Sequence, residues 1–177
     1  VDVCGAPGGK SINAALKMLE QGDCGRVIAR DLSDYKVALI DENIKRLNIT
    51  NIQTQVYDAL DCDESLINKA DIVIADLPCS GLGIIGRKPD IKYNASPEKL
   101  QSLVDLQRDI LKVVSRYVKS GGVLMYSTCT INRAENEDNA DWICKESGFT
   151  KDGEYHQLLP ANNSGMDGFF VARLIKS

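Results

Sequence analysis

Short apolar runs rich in β-formers alternate along this chain with segments of helical periodicity. Val1-Asp2-Val3 reads as a strand end, Val27-Ile28-Ala29 as a second short strand and Ile52 to Val56 as a third. Ile72-Val73-Ile74-Ala75 is continuously apolar, the pattern of a strand buried on both faces. Val123 to Tyr126 is a fifth strand and Phe169 to Ile175 a later one. Between them, Ile12 to Leu19 reads as a helix, and Val37, Ile40, Ile44 and Leu47 recur at helical spacing behind Ser33 as a cap. Leu103, Leu106, Ile110, Val113 and Tyr117 mark a longer helix entered through Ser96-Pro97, a cap followed by proline at the first helical position. Asn132 with Glu135 reads as a capping box opening a helix that carries Trp142 and Ile143. Strand-helix alternation predicts an α/β fold with a mostly parallel, doubly wound sheet, in one domain over residues 1–177. Gly81 to Ala95 lacks clear periodicity and reads as a long functional loop.

The chain opens inside a strand, so it is expected to be a fragment with a segment missing on its N-terminal side. Its 44% apolar content supports a full core, and only 6% aromatics predict one that is mostly aliphatic. A net charge of -4 argues against a domain that binds nucleic acid by bulk charge alone. No apolar run approaches the roughly 20 residues that span a membrane and no signal peptide is visible, so a cytoplasmic protein without membrane contact is expected. Six cysteines, at 4, 24, 62, 79, 129 and 144, form no C-x-x-C pair, and His156 is the single histidine. Neither a metal site nor a disulfide framework is expected. Cys24, Cys62 and Cys144 should pack as small hydrophobes.

Three features carry chemistry. The first is the loop Cys4-Gly5-Ala6-Pro7-Gly8-Gly9-Lys10, which follows a strand and opens a helix. Its glycines allow a sharp turn and close approach of a ligand, and the helix start offers N–H groups to it. The loop matches neither the Walker A pattern nor G-x-G-x-x-G. Asp31, at the end of the second strand, stands where such folds place an acid on ribose hydroxyls. Asp58 and Asp76 follow the third and fourth strands, and the three acids are expected to face one crevice. These features alone fit a nicotinamide or an S-adenosylmethionine ribose.

The other two features are Asp76-Leu77-Pro78-Cys79-Ser80-Gly81 after the fourth strand and Ser127-Thr128-Cys129-Thr130 after the fifth. Neighbouring strands of a doubly wound sheet would bring both cysteines to one crevice. A cysteine beside a methyl donor is what methylation at carbon 5 of cytosine requires. That carbon is not nucleophilic until a thiolate adds at carbon 6. Asp76 could then hydrogen-bond the base edge at nitrogen 3 and the amino group.

Together these motifs resemble the RNA 5-methylcytosine methyltransferases, and among them the RsmB family that methylates 16S ribosomal RNA. The resemblance extends to Arg87-Lys88-Pro89-Asp90-Ile91-Lys92-Tyr93, to Glu135-Asn136-Glu137 and to Asp167-Gly168-Phe169-Phe170. It implies a Rossmann-like class I methyltransferase fold with S-adenosylmethionine as methyl donor. Residues Cys4 to Lys10 would hold the donor, with Asp31 on its ribose, Asp58 near the adenine and Asp76 lining both donor and cytosine. Cys129 would attack carbon 6, because the RNA enzymes resemble one another in using the threonine-cysteine motif. Cys79 would assist breakdown of the adduct. The loop reads Cys-Gly-Ala where Cys-Ala-Ala is common, and Tyr57 precedes Asp58 where glycine is usual. The resemblance implies an N-terminal RNA-binding part that is expected to be missing from this sequence, with Arg87, Lys88, Lys92 and Lys99 as local RNA contacts. The implied partner is RNA with an unpaired or flipped cytosine, with no obligate protein partner. The rivals are a nicotinamide oxidoreductase, an inactive RNA-binding module on the same fold, and a related transfer RNA cytosine-5 methyltransferase.

Overall fold

The computed structural model describes residues 1–160 and 165–177, in two compact units, Val1–Asp63 and Glu64–Ser177. The first unit holds α1 (Gly9–Glu20), β1 (Val27–Asp31), α2 (Asp34–Leu47) and β2 (Ile52–Val56). β1 and β2 pair in parallel, from Val27 opposite Ile52 to Asp31 opposite Val56. The strand end expected at Val1 to Val3 is a single parallel bridge between Asp2 and Ala29. Ile12, Ala15, Val27 and Ile49 form a buried apolar cluster. The Ser33 side chain accepts the Lys36 N–H and starts α2 as expected, satisfying one of the helix's orphan donors. The helix ends at Asn48, whose φ of 52° is left-handed.

The second unit holds β3 (Ala70–Asp76), α3 (Ile91–Asn94), α4 (Pro97–Val114), β4 (Val118–Thr128), α5 (Glu137–Ser147), β5 (Phe149–Lys151), β6 (His156–Leu158) and β7 (Phe169–Lys176). Strand order is β3-β4-β7-β5, with β6 also on β7. β3 and β4 are parallel, as expected, and Asp76 lies opposite Ser127. β7 runs antiparallel to β4, and β5 and β6 antiparallel to β7, so the sheet is mixed rather than mostly parallel. Connectivity explains this. A parallel neighbour needs a crossover of a dozen or more residues, usually a helix, and among the described residues no helix lies between β5 and β7.

The core is mostly aliphatic, as expected, around a few large aromatic side chains. Its three largest fully buried side chains are Tyr117, Tyr126 and Phe170. Tyr126 and Tyr155 both meet the Phe170 ring edge to face, with centroids 6.1 and 5.7 Å away. The capping box is corrected. Asn132 caps only the one-turn 3-10 helix Arg133–Glu135, through the Ala134 N–H, whereas α5 starts at Glu137 behind Asn136 with no side-chain cap. Glu135 is drawn inward instead and is fully buried. Nor are the three remaining cysteines all packed as small hydrophobes, since Cys24 is exposed and Cys62 and Cys144 are half-buried.

The Gly81–Ala95 stretch is pinned rather than loose. It holds a 3-10 turn, Leu82–Ile84, and α3. Gly83 donates its N–H to the Cys129 carbonyl at 3.1 Å and accepts from Gly168 at 2.7 Å. A β-carbon at Gly83 would stand 2.5 Å from the Gly168 oxygen and 2.8 Å from that of Cys129. Only glycine permits this three-way backbone contact.

Candidate active site

In the first unit, the backbone turns into α1 at Gly8, where φ is +105°. No side chain caps this helix start, and a β-carbon at Gly9 would meet nothing within 4 Å. An uncapped helix start beneath open space suits an anionic group such as a carboxylate. Gly5 donates to the Arg30 carbonyl at 2.7 Å, fixing the loop to β1. A β-carbon at Gly5 would press on Ser11 Oγ at 3.1 Å, and that hydroxyl donates to the buried Asp2 carboxylate at 2.5 Å. Cys4 and Ala6 are half-buried, while Pro7 and Lys10 are exposed.

Asp31 is buried and tied to the loop. Its carboxylate accepts the Ala6 N–H at 3.0 Å and the Leu32 N–H at 2.8 Å, and Lys36 Nζ lies 3.0 Å away. Asp58 is half-buried and accepts the Leu60 N–H at 2.9 Å, the geometry of a turn cap. Loop and two acids thus belong to the first unit, and Asp76 to the second.

In the second unit, the parallel pairing of β3 with β4 carries both cysteines to one end of the sheet. Cys79 Sγ lies 3.2 Å from Cys129 Sγ. Asp76 accepts the Ser127 hydroxyl at 2.8 Å, which orients its carboxylate beside the pair. The Cys129 thiol is pulled down to about 7, chiefly because the Cys79 thiol donates a hydrogen bond to its sulfur. Burial and the charges of Asp76 and Glu135 oppose that effect. Cys79 is driven in the other direction, to well above the thiol range, by that hydrogen bond first and by burial second. One sulfur is thus poised as a thiolate and the other kept as its proton donor.

A family model of the 16S rRNA methyltransferases RsmB/F matches residues 1–175. The chain belongs to this family. It is 37% identical over 195 residues to the probable ribosomal RNA small subunit methyltransferase B of Bacillus subtilis (strain 168). It is 33% identical over 197 residues to the ribosomal RNA small subunit methyltransferase F of Escherichia coli O157:H7 (strain EC4115 / EHEC). These matches cover 99% and 100% of this chain but 42% and 40% of the relatives. NSun6 from Pyrococcus horikoshii, solved with SFG, superposes with a TM-score of 0.81 at 27% identity, over 99% of this chain and 47% of that one. The fold is the Rossmann-like one of S-adenosylmethionine-dependent methyltransferases. Relatives named B and F both match, so membership is to the joint RsmB/F family.

Behind the cysteines lies a buried polar network that the sequence did not announce. Glu135 accepts from the Ser80 N–H at 2.9 Å, Gln107 Nε2 at 3.0 Å and Asn132 Nδ2 at 2.9 Å. Gln107 Nε2 also donates to the Pro78 carbonyl at 2.9 Å, and Asn139 donates to Gln107 Oε1 at 2.8 Å. The Tyr126 hydroxyl donates to the Glu135 carbonyl. Ser80 Oγ and Thr130 Oγ1, each one residue past a cysteine, share a hydrogen bond of 2.7 Å. The network therefore grips both cysteine loops and sets their separation. Glu135 lies in a segment that resembles the family, whereas Gln107, Tyr126 and Asn139 carry no local signal for this network.

Of the basic residues expected near RNA, Arg87 pairs with Asp167 at 3.1 Å. Lys88, Lys92 and Lys99 are exposed, with Lys92 Nζ 4.8 Å from the Tyr93 ring centroid. Among the described residues, no helix is long and apolar enough to cross a membrane. No group of three or more His, Cys, Asp or Glu there could hold a metal ion.

The asymmetry between the sulfurs is measurable without turnover. Iodoacetamide labelling of Cys129, followed by mass spectrometry across pH, should show a midpoint near 7, against about 8.5 for an ordinary thiol. In Cys79→Ala the midpoint should rise, since the donor is lost while burial and the two carboxylates remain. A midpoint in the ordinary thiol range for both proteins would refute the assignment.

Proposed function

We propose that this chain is the catalytic domain, single over residues 1–177, of an enzyme that methylates carbon 5 of a cytosine in 16S ribosomal RNA. Cys129 is the nucleophile. The observation that carries this reading is the 3.2 Å pairing of two cysteines at the ends of adjacent parallel strands, with Cys129 held toward the thiolate.

S-adenosylmethionine, when bound, supplies an electrophilic methyl group. The loop from Cys4 to Lys10 would hold it through the uncapped start of α1, with Asp31 at the ribose and Asp58 near the adenine. Cys129 Sγ adds to carbon 6 of the cytosine, making carbon 5 an enamine-type nucleophile. Asp76, oriented by Ser127, hydrogen-bonds the base edge at nitrogen 3 and the amino group. After methylation, a solvent water takes the carbon 5 proton, the C–H electrons re-form the carbon 5–carbon 6 double bond, and the carbon-sulfur pair returns to Cys129 as thiolate. Cys79, whose thiol already donates to the Cys129 sulfur in the free protein, stabilises the departing thiolate the same way. No metal and no partner protein enters this scheme, and a ribosomal RNA substrate places the work in the cytoplasm.

Because the chain spans about two-fifths of its relatives' length, the test uses the full-length protein. That protein is incubated with labelled S-adenosylmethionine and a 16S ribosomal RNA transcript, and the RNA is digested to nucleosides. Label should appear in 5-methylcytidine. Label in another nucleoside, or none in RNA despite donor binding by calorimetry, would overturn the reading. Label in transfer RNA alone would move the substrate and leave the chemistry.

A further inference from the structure

A cavity of about 200 Å³ opens beside the cysteines. Cys79 and Ser80 line it from the cysteine loop, Ile91 from α3, and Lys99, Leu100 and Leu103 from α4. Neither Cys129 nor Asp76 is among its walls. It is smaller than the roughly 300–1,000 Å³ of drug-sized sites and suits one planar ring rather than a whole nucleotide.

Its chemistry is wrong for reading a cytosine edge. The walls are mostly aliphatic, and the Ser80 hydroxyl is already engaged by Thr130 at 2.7 Å. The cationic head of Lys99 donates but cannot accept, so it gives a cytosine amino group no partner. Such a slot takes a ring by shape and desolvation. Lys99 on its wall and the chain segment leading to it point to one kind of owner for that ring. Lys88, Lys92 and Lys99 are exposed along one short segment of a chain whose net charge is -4. Tyr93, 80% exposed, stands among them. Clustered cations with an exposed aromatic suit a phosphate-linked, unstacked strand.

We propose that this cavity receives the nucleobase next to the target cytosine, with Lys99 neutralising the phosphate between them. When the target leaves its stack, its neighbour loses a stacking face. An apolar slot adjoining Cys79 restores that burial and holds the strand in register with Cys129. Gly81 allows the slot to form, since its φ of +69° turns the chain and a β-carbon there would touch Ile91 Cδ1 at 3.0 Å. The inference rests on the RNA-methylating reading given above.

The test couples protein to RNA. The methylated cytosine is first mapped in 16S ribosomal RNA by bisulfite sequencing with full-length wild-type protein. Oligonucleotides around it then carry an abasic site at each flanking position in turn. At one adjacent position the wild type should lose about tenfold in kcat/KM, the scale of one stacked base. Leu103→Trp fills the slot, and Ala95→Trp fills it from an exposed rim position that also lines it. Each variant should lose about tenfold on intact RNA, yet lose almost nothing more at that abasic position, because the shared interaction is already gone. Donor binding by calorimetry should be unchanged in both variants. If no flanking abasic site harms the wild type, or if the variants lose the same factor as wild type at every position, the slot does not hold a base. A wild type that methylates no cytosine would instead overturn the parent reading, and this one with it.

Discussion

In the full-length protein, Cys129→Ala should lower kcat for RNA methylation by on the order of 10⁴-fold or more, as loss of a covalent nucleophile does. Donor binding should be unaffected, because the residues assigned to the donor are the loop from Cys4 to Lys10, Asp31 and Asp58, and Cys129 is assigned to the base. Cys79→Ala should fail differently. Its Cys129 can still add to carbon 6 once the nearby base presents itself. The thiolate must then leave without the thiol that stabilised it at 3.2 Å. Turnover should stall after addition, and a protein-RNA adduct should persist on a denaturing gel. Adding Cys129→Ala to this variant should abolish the adduct. An adduct formed by Cys129→Ala but not by Cys79→Ala would reverse the two roles. Equal, modest losses in both single variants with no adduct would reduce the pair to packing.

What the sequence made legible about this site was whatever a few consecutive residues determine. The Ser33 and Ser96-Pro97 caps work through neighbours three residues away, and both occur as expected. The cysteines' proximity was legible because Cys79 comes three residues after β3 and Cys129 directly after β4, and parallel pairing of the two strands does the rest. Longer-range features escaped. β5 and β6 have three residues each, too few to display an alternation, and with β7 they turn the expected parallel sheet into a mixed one. Glu135 misled for a related reason. The Asn-x-x-Glu spacing is a local signal for a helix start, but this carboxylate is claimed by Ser80, 55 residues away, and by Gln107, 28 residues away. A glutamine within an amphipathic helix gives no hint that it faces inward, yet Gln107 is fully buried. Gly83 and Gly168 are similar, since their contact brings together segments 85 residues apart.

That buried network makes Glu135→Ala the substitution with the largest expected cost in stability. Glu135 is fully buried, and its carboxylate takes hydrogen bonds from three donors, of which Gln107 Nε2 is buried and the Ser80 N–H and Asn132 Nδ2 are part-buried. Truncation orphans the Ser80 N–H and weakens the hold on Gln107 and Asn132, besides leaving a void. A loss of about 2–4 kcal/mol is expected, since an unsatisfied buried donor costs about 1–3 kcal/mol and the void adds to it. Denaturant unfolding monitored at Trp142 checks it, because α5 carries that residue. Glu135→Gln should cost less. It keeps the volume and one acceptor oxygen, but turns an NH₂ group toward donors and so leaves at least one unpaired. The effect should also reach the chemistry. Ser80 directly follows Cys79, and Gln107 holds the Pro78 carbonyl that precedes it. Freed from Glu135, the Cys79 loop should drift from Cys129, and the Cys129 alkylation midpoint should rise even in Glu135→Gln, provided that variant remains folded. A rise in the glutamine variant would separate positioning from bulk electrostatics, since removing the Glu135 charge by itself would lower that midpoint. A stability loss under about 1 kcal/mol in Glu135→Ala, with an unmoved midpoint in Glu135→Gln, would mean that the cysteine loops hold their separation without this network.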